Sequence, residues 1–213
     1  MSTPPSSRSV KIDNDERGGW SSDRPRRDGA PPRPPNLSVR SRVLRPSELL
    51  RYSPGSLLLI VSASAAERDG FAQAMIEDKA SLLSLGRVRS LLAGRVPEEE
   101  VEERAAELLQ AAVVKRLEAN ESVVITLEGL EREERERYVR AASARKRPCH
   151  LILIETSPDQ VDDEDRTTLN KLRKALDGGE LGAEGFGTVL RLGRGSMAEL
   201  KRVVFRPEPR DDD

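Results

Sequence analysis

The stretch Leu57-Leu58-Leu59-Ile60-Val61, running into Ser62-Ala63-Ser64-Ala65-Ala66-Glu67-Arg68-Asp69-Gly70, decides the fold class. A strand with one wet face alternates apolar and polar residues. Five apolar residues in succession instead predict a short strand covered on both sides. The small polar turn after it leads into a helix expected over residues 67–76, with Phe71, Ala74 and Met75 inward. Downstream the same alternation repeats. Pro97 and Glu98-Glu99-Glu100 open a long helix with the stripe Val101, Ala105, Leu108, Leu109, Ala112 and Leu117. A strand is expected at 123–127, a helix at 130–145 with the pairs Glu131/Arg135, Arg132/Glu136 and Glu136/Arg140 on its wet side, a strand at 151–154 and a helix at 162–176. Strands at 188–192 and 202–205 close the chain, with a short helix from Ser196 between them. Strands separated by helices need crossover connections and so pair in parallel. The expectation is a three-layer α/β domain over residues 55–207, its mainly parallel sheet of about five strands. Residues 123–127 and 151–154 should neighbour 57–61.

Composition places this domain behind a tail. The chain has 213 residues, 34% charged and 3% aromatic, with a net charge of −1. Residues 1–55 hold 11 Lys and Arg against 6 Asp and Glu, and the remainder 25 against 31. The first segment also holds 9 of the 14 prolines. Such a stretch cannot bury enough apolar surface to offset its ordering entropy. Residues 1–45 are therefore expected to be a disordered basic tail rich in Pro, Arg and Ser, and 208–213 a short acidic one. A tail of this kind suits a protein partner or, less well, nucleic acid. Few aromatic residues argue against a single-strand stacking platform. No apolar run approaches membrane-spanning length, and residues 1–10 lack a signal-peptide core, so a cytoplasmic protein without membrane attachment is expected. One cysteine, Cys149, and one histidine, His150, exclude an internal disulfide and a four-ligand Cys/His zinc site. No metal site is expected.

In an open parallel sheet, ligands bind beyond the carboxyl ends of the strands, so the turn after 57–61 is the place to look for a site. A phosphate-binding loop there reads G-x-x-x-x-G-K-[ST], its glycines letting backbone N–H groups close on phosphate oxygens. Three further stretches bear on it. They are Gly86-Arg87-Val88-Arg89-Ser90-Leu91-Leu92-Ala93-Gly94, Lys115-Arg116-Leu117-Glu118-Ala119-Asn120 running into 123–127, and Val161 through Glu184-Gly185-Phe186. With the order of elements from Gly55 to Pro207, these resemble the P-loop kinases related to polynucleotide kinase and the zeta-toxin group. The resemblance implies a P-loop NTPase-like fold, an ATP site with magnesium, and phosphoryl transfer.

Against that family the turn is a degenerate Walker A. Ser62 stands for the first glycine, Ala65 lies within the loop, and Glu67 stands for the second glycine. Arg68 replaces the lysine, Asp69 the metal-binding hydroxyl residue, and Gly70 follows. Carboxylates here would face the β-phosphate, and like charges about 4 Å apart repel by about 1 kcal/mol even in water. Arginine is bulkier and planar, not a neutral swap for lysine. The family's aspartate after its second strand aligns with Gly86. Its Walker-B-like aspartate aligns with Thr126 or Leu127, which leaves Glu128 as the nearby carboxylate. Residues 155–160 leave almost no room for an Arg-bearing lid. Phosphoryl transfer depends on positioning and charge neutralisation, so these departures together imply a kinase-like domain without a working site. The expected function is a pseudo-enzyme serving as a regulatory or protein-interaction module, with no cofactor. Alongside it stands an enzyme reading. A divergent ATP-dependent kinase or NTPase, acting on a nucleotide, nucleic-acid end or small metabolite, would have to use Arg68, Glu128 and Arg87, with ATP and magnesium.

Other constellations carry less. Gly193-Arg194-Gly195-Ser196 follows a strand and opens a helix, so Arg194, Gly195 and Ser196 with backbone donors form a candidate anion site. Ser196 and Glu199 also have capping-box spacing. Gly182–Gly187 precedes a strand and is no dinucleotide fingerprint. Cys149 and His150 read as a packed pair at a strand edge.

Overall fold

A computed structural model describes residues 40–207 except Pro158 and Gln160. The tail expected at 1–45 lies outside the described residues up to position 39, as does the segment 208–213. Ordered structure begins inside that expected tail, because Arg42–Val43 forms strand β1. The other strands are β2 (Leu49–Tyr52), β3 (Leu57–Val61), β4 (Leu82–Ser84), β5 (Val123–Thr126), β6 (Cys149–Ile154), β7 (Thr188–Leu192) and β8 (Arg202–Phe205). The helices are α1 (Ala65–Met75), α2 (Leu85–Leu92), α3 (Glu98–Glu118), α4 (Arg132–Ser143), α5 (Asp163–Asp177) and α6 (Arg194–Glu199).

Six strands form one parallel sheet in the order β1-β7-β6-β3-β5-β4. As expected, β3 lies between β5 and β6. Leu57 pairs with Val123 on one side and Cys149 on the other. The expectation for residues 202–205 needs correction. β8 leaves the main sheet and pairs in parallel with β2, with Leu50 opposite Val203.

Alternation along β3 makes the two cores. Leu57, Leu59 and Val61 enter one apolar cluster with Leu109, Leu117, Tyr138, Leu169 and Leu172, so α3, α4 and α5 cover that face. Leu58 and Ile60 enter the other with Phe71, Ala72, Leu50 and Val203, so α1 and the β2–β8 ribbon cover the second face. All five β3 side chains are fully buried. At about 1.5–3 kcal/mol for each such side chain, this strand is the energetic centre of the fold.

Three smaller expectations are corrected by packing. Leu108, placed in the inward stripe of α3, is 50% exposed, while Val113 is buried instead. The face actually buried is Ala105, Leu109, Val113 and Leu117, a strict four-residue spacing. Ala74 is exposed, and Arg68 with Ala72 joins Phe71 on the buried face of α1. Glu131 and Arg135 do not pair on a wet face. Arg135 is buried and makes a bidentate bond to Glu184, both distances 2.9 Å.

Candidate functional site

The chain leaves β3 through α1 toward β4 on one side, and leaves β6 through α5 toward β7 on the other. The carboxyl ends of β3 and β6 therefore form the topological switch point, where open α/β sheets place their ligands. Here the gap is bridged. The Ser62 and Thr156 hydroxyls lie 2.9 Å apart in a hydrogen bond, and both residues are buried.

The connection from β3 to α1 is only Ser62-Ala63-Ser64. The Ser64 hydroxyl accepts from the Glu67 N–H at 3.3 Å and caps the helix, and the Ser64 N–H donates to the Ser62 hydroxyl at 3.2 Å. The sequence reading began this helix at residue 67. Ala65, Glu67, Arg68, Asp69 and Gly70 instead all lie within α1, so of the stretch aligned with a phosphate loop only Ser62, Ala63 and Ser64 stay outside helix. The cause is local. A serine cap followed by Ala-Ala-Glu-Arg favours helix from its first residue, and no glycine intervenes before Gly70 to hold the backbone open. The Glu67 carboxyl carries one oxygen, Oε2, that is buried without a partner.

Arg68, aligned with the family's lysine, is 5% exposed. Its Nε donates to Asp69 Oδ1 at 2.8 Å, its Nη2 to Asp69 Oδ2 at 3.1 Å, and its Nη1 to the Leu127 carbonyl at 2.6 Å. The two residues read as phosphate and metal positions are thus bonded to each other. The guanidinium also ties α1 to the end of β5.

Past β5, Glu128 is paired, though not with Arg87. Arg89 donates to Glu128 at 2.5 and 2.8 Å and to Glu102 at 2.6 Å through two nitrogens. These bonds raise the arginine's pKa further above its ordinary value, and Arg89 holds the Glu102 carboxyl below its own. Arg87 is exposed and lines a different groove, with Lys79 and Arg116. Arg87 and Glu128, which the enzyme reading needs together, are therefore not brought together. Sequence reasoning missed Arg89 for a plain reason, since both arginines lie in one run and only packing of α2 on α3 selects between them. It also missed Glu134, whose carboxylate accepts from the Glu128 and Gly129 N–H groups at 3.2 and 2.9 Å. Burial pushes the Glu134 carboxyl up, against the pull of those two bonds.

A third charged group stands beside Thr156. Glu155 accepts from Arg173 Nε at 3.0 and 3.1 Å and also pairs with Arg191, which in turn bonds Asp177 at 2.9 Å. Burial would raise the Glu155 pKa, but the bonds from Arg173 and Arg191 outweigh it and hold the carboxyl below the usual range.

The remaining candidates are not gathered here. α6 begins at Arg194 with Gly193 as its cap, which puts Gly195 and Ser196 inside the helix and leaves the expected Ser196 capping box unformed. That helix is a single six-residue segment, with no buried residue along it. Cys149 and His150 sit at the amino end of β6, at the opposite end of the sheet from the crevice. Burial pushes the Cys149 thiol up to about 12 and the His150 imidazole down to about 4. Among the described residues, no group of three or more His, Cys, Asp or Glu is placed to hold a metal ion. No described helix is long and apolar enough to cross a membrane.

Compared with known proteins, the chain matches no family model and no curated relative.

Proposed function

We propose that this domain is a non-catalytic, P-loop-kinase-like module whose former ligand end is closed by its own side chains, leaving it to act by binding other proteins. One observation carries the reading. Arg68, the cation at the turn where a nucleotide's phosphates would be neutralised, spends its donors on Asp69 and the Leu127 carbonyl. A charge-assisted bidentate pair is among the stronger polar interactions in a protein, so a phosphate must displace a carboxylate already in place. The short capped turn adds to this. The Ser64 hydroxyl already takes the Glu67 N–H and the Ser62 hydroxyl the Ser64 N–H, and the Glu67 carboxylate stands in the same first turn of α1, where a phosphate would otherwise find free donors. The same condition holds at Arg89, Arg173 and Arg191, each engaged by carboxylates. Phosphoryl transfer relies on cations free to follow charge onto the transferring group. Arg68 and Arg89, at the ends of β3 and β5, are not free in this way.

Calorimetric titration of ATP and of GTP, each with magnesium, into the full chain tests the reading. The expected result is no saturable heat at nucleotide concentrations up to about 1 mM, that is, binding weaker than about −4 kcal/mol. Micromolar binding accompanied by turnover would replace the module reading with the divergent-enzyme one.

A further inference from the structure

β4 is the last strand on its side of the sheet, so its outer edge pairs with no strand among the described residues. Along that edge runs a groove of about 520 Å³ with an apolar floor of Leu82, Leu83, Val88 and Leu91. Leu91 is 57% exposed, one of the few large apolar side chains in the domain left in solvent. The charged groups lining the groove are Lys79, Arg87 and Arg116, and no carboxylate is among its lining residues. Their engagement is slight. Arg87 makes no ion pair among the described residues, Arg116 stands 3.7 Å from Glu121, and the Lys79 ammonium donates to the Gln73 carbonyl. The adjoining groove, which shares Ala80 and Arg116, has the opposite character, with Glu77, Asp78 and Glu121 in its walls. Charge is therefore sorted by place on a domain that is otherwise balanced.

We infer that the β4 edge is a docking site for an extended acidic segment of a partner protein, with apolar side chains alternating with carboxylates. An open edge strand supplies main-chain pairing to an added strand, and alternate side chains of that strand then fall on opposite faces. Leu91 lies one helical turn from Arg87 on α2, so the groove offers apolar and cationic partners side by side to the side chains of such a segment. Nucleic acid fits less well. A phosphodiester chain gains nothing from four aliphatic side chains, and no aromatic residue lines the groove for a base to stack on. The cations both select the sign of the segment and speed its arrival. This inference rests on the reading of the domain as a protein-binding module and names its surface.

The test is fluorescence anisotropy of the full chain with a labelled peptide of about eight residues alternating Asp or Glu with Leu or Val. Binding should saturate, weaken with added salt, and fall at least about tenfold in Arg87→Glu, whose exposed side chain has no structural partner to lose. Leu91→Gln should weaken it as well without altering any charge, which separates the apolar contribution from the charges. Amides of residues 82–84 should gain hydrogen-exchange protection on binding. Any of four outcomes overturns the inference. These are no binding at millimolar peptide, equal binding by a peptide with lysine in place of its acids, and equal displacement by an oligothymidylate. The fourth is tighter peptide binding when Asp211, Asp212 and Asp213 are changed to Asn, which would assign the groove to the chain's own acidic segment. None of these moves the nucleotide titration, so the two readings fail separately.

Discussion

His150 shows what a single buried group does to this protein. Its Nδ1 lies 2.7 Å from the Thr188 hydroxyl, its ring centroid is 4.4 Å from that of Tyr52, and its Nε2 is buried without a partner. Protonation would place a second donor where nothing accepts it, which is why burial lowers its pKa from 6.5 to about 4. Between those two values the unfolded chain binds a proton that the folded one refuses. Unfolding free energy therefore rises with pH across this window, and the stabilisation is lost as pH falls from 6.5 toward 4. The size is about 3 kcal/mol at full effect, taking 1.36 kcal/mol for each pKa step. Urea unfolding at pH 7 and pH 4.5 measures it. The difference should shrink by about 2.5 kcal/mol in His150→Gln, since pH 4.5 stops short of the folded value, whereas an unchanged pH dependence would mean that His150 takes up its proton as readily in the fold as in the unfolded chain. Arg135 is the contrasting case. Buried like His150, it has its donors met, by Glu184 through two bonds and by the Leu130 carbonyl through a third, at 2.5 Å.

At the scale of elements, the turn between β2 and β3 depends on one glycine. Gly55 has φ +74°, and a Cβ there would lie 2.2 Å from the Asn120 Oδ1 atom. That side chain cannot simply step aside, since Arg147 Nη1 donates to the same oxygen at 2.5 Å. The Gly55 N–H also donates to the Ser122 hydroxyl at 3.0 Å, tying the entry of β3 to the entry of β5. Gly55→Ala is expected to cost about 2–4 kcal/mol, the backbone penalty plus the lost Asn120 contacts, read as a lower urea midpoint at constant slope. The same scale shows what the chain discloses unaided. β3, β7 and β8 are legible to the residue, β3 as an unbroken buried apolar run, and β7 and β8 through the buried pairs Val189-Leu190 and Val203-Val204. α5 is legible because Leu169, Leu172 and Leu176 form one stripe, all buried. β1, β2 and β4 are two to four residues long and carry no period to read, and β8 joined the wrong sheet because its partner β2 was unseen. In the candidate site, Arg68 and Asp69 stand out in the sequence by violating a motif. That they bond each other is not readable, nor is the choice of Arg89 over Arg87, because both depend on how helices pack.

Over the whole molecule the charges are balanced, residues 40–207 carrying 28 Lys and Arg against 28 Asp and Glu. What matters is how they are distributed, since a balanced domain can still hold a strong anion site wherever cations outnumber carboxylates. At the carboxyl end of the sheet they do not. Arg68 meets Asp69, and Arg89 meets Glu102 and Glu128. Inorganic tripolyphosphate, which has a nucleotide's phosphate charge without its base, therefore should not stabilise the natural chain, because Arg68 and Arg89 are already occupied by carboxylates. Removing the occupants should change this. Asp69→Asn, Glu102→Gln and Glu128→Gln together keep side-chain shapes while discarding three negative charges, and none of these three side chains is buried. The triple variant is expected to gain a few degrees of thermal stability on adding millimolar tripolyphosphate, since a ligand that binds only the folded state stabilises it in proportion to the logarithm of its saturation. The two proteins compared by scanning calorimetry, with and without the anion, decide between self-neutralisation and plain lack of a cradle. A gain confined to the variant shows that carboxylates alone keep anions out. No gain in either shows that the three-residue turn, closed by its own serine hydroxyls, is the deeper obstacle. A gain already present in the natural chain means that these ion pairs open for phosphate, and the closed-site reading then fails at its central observation.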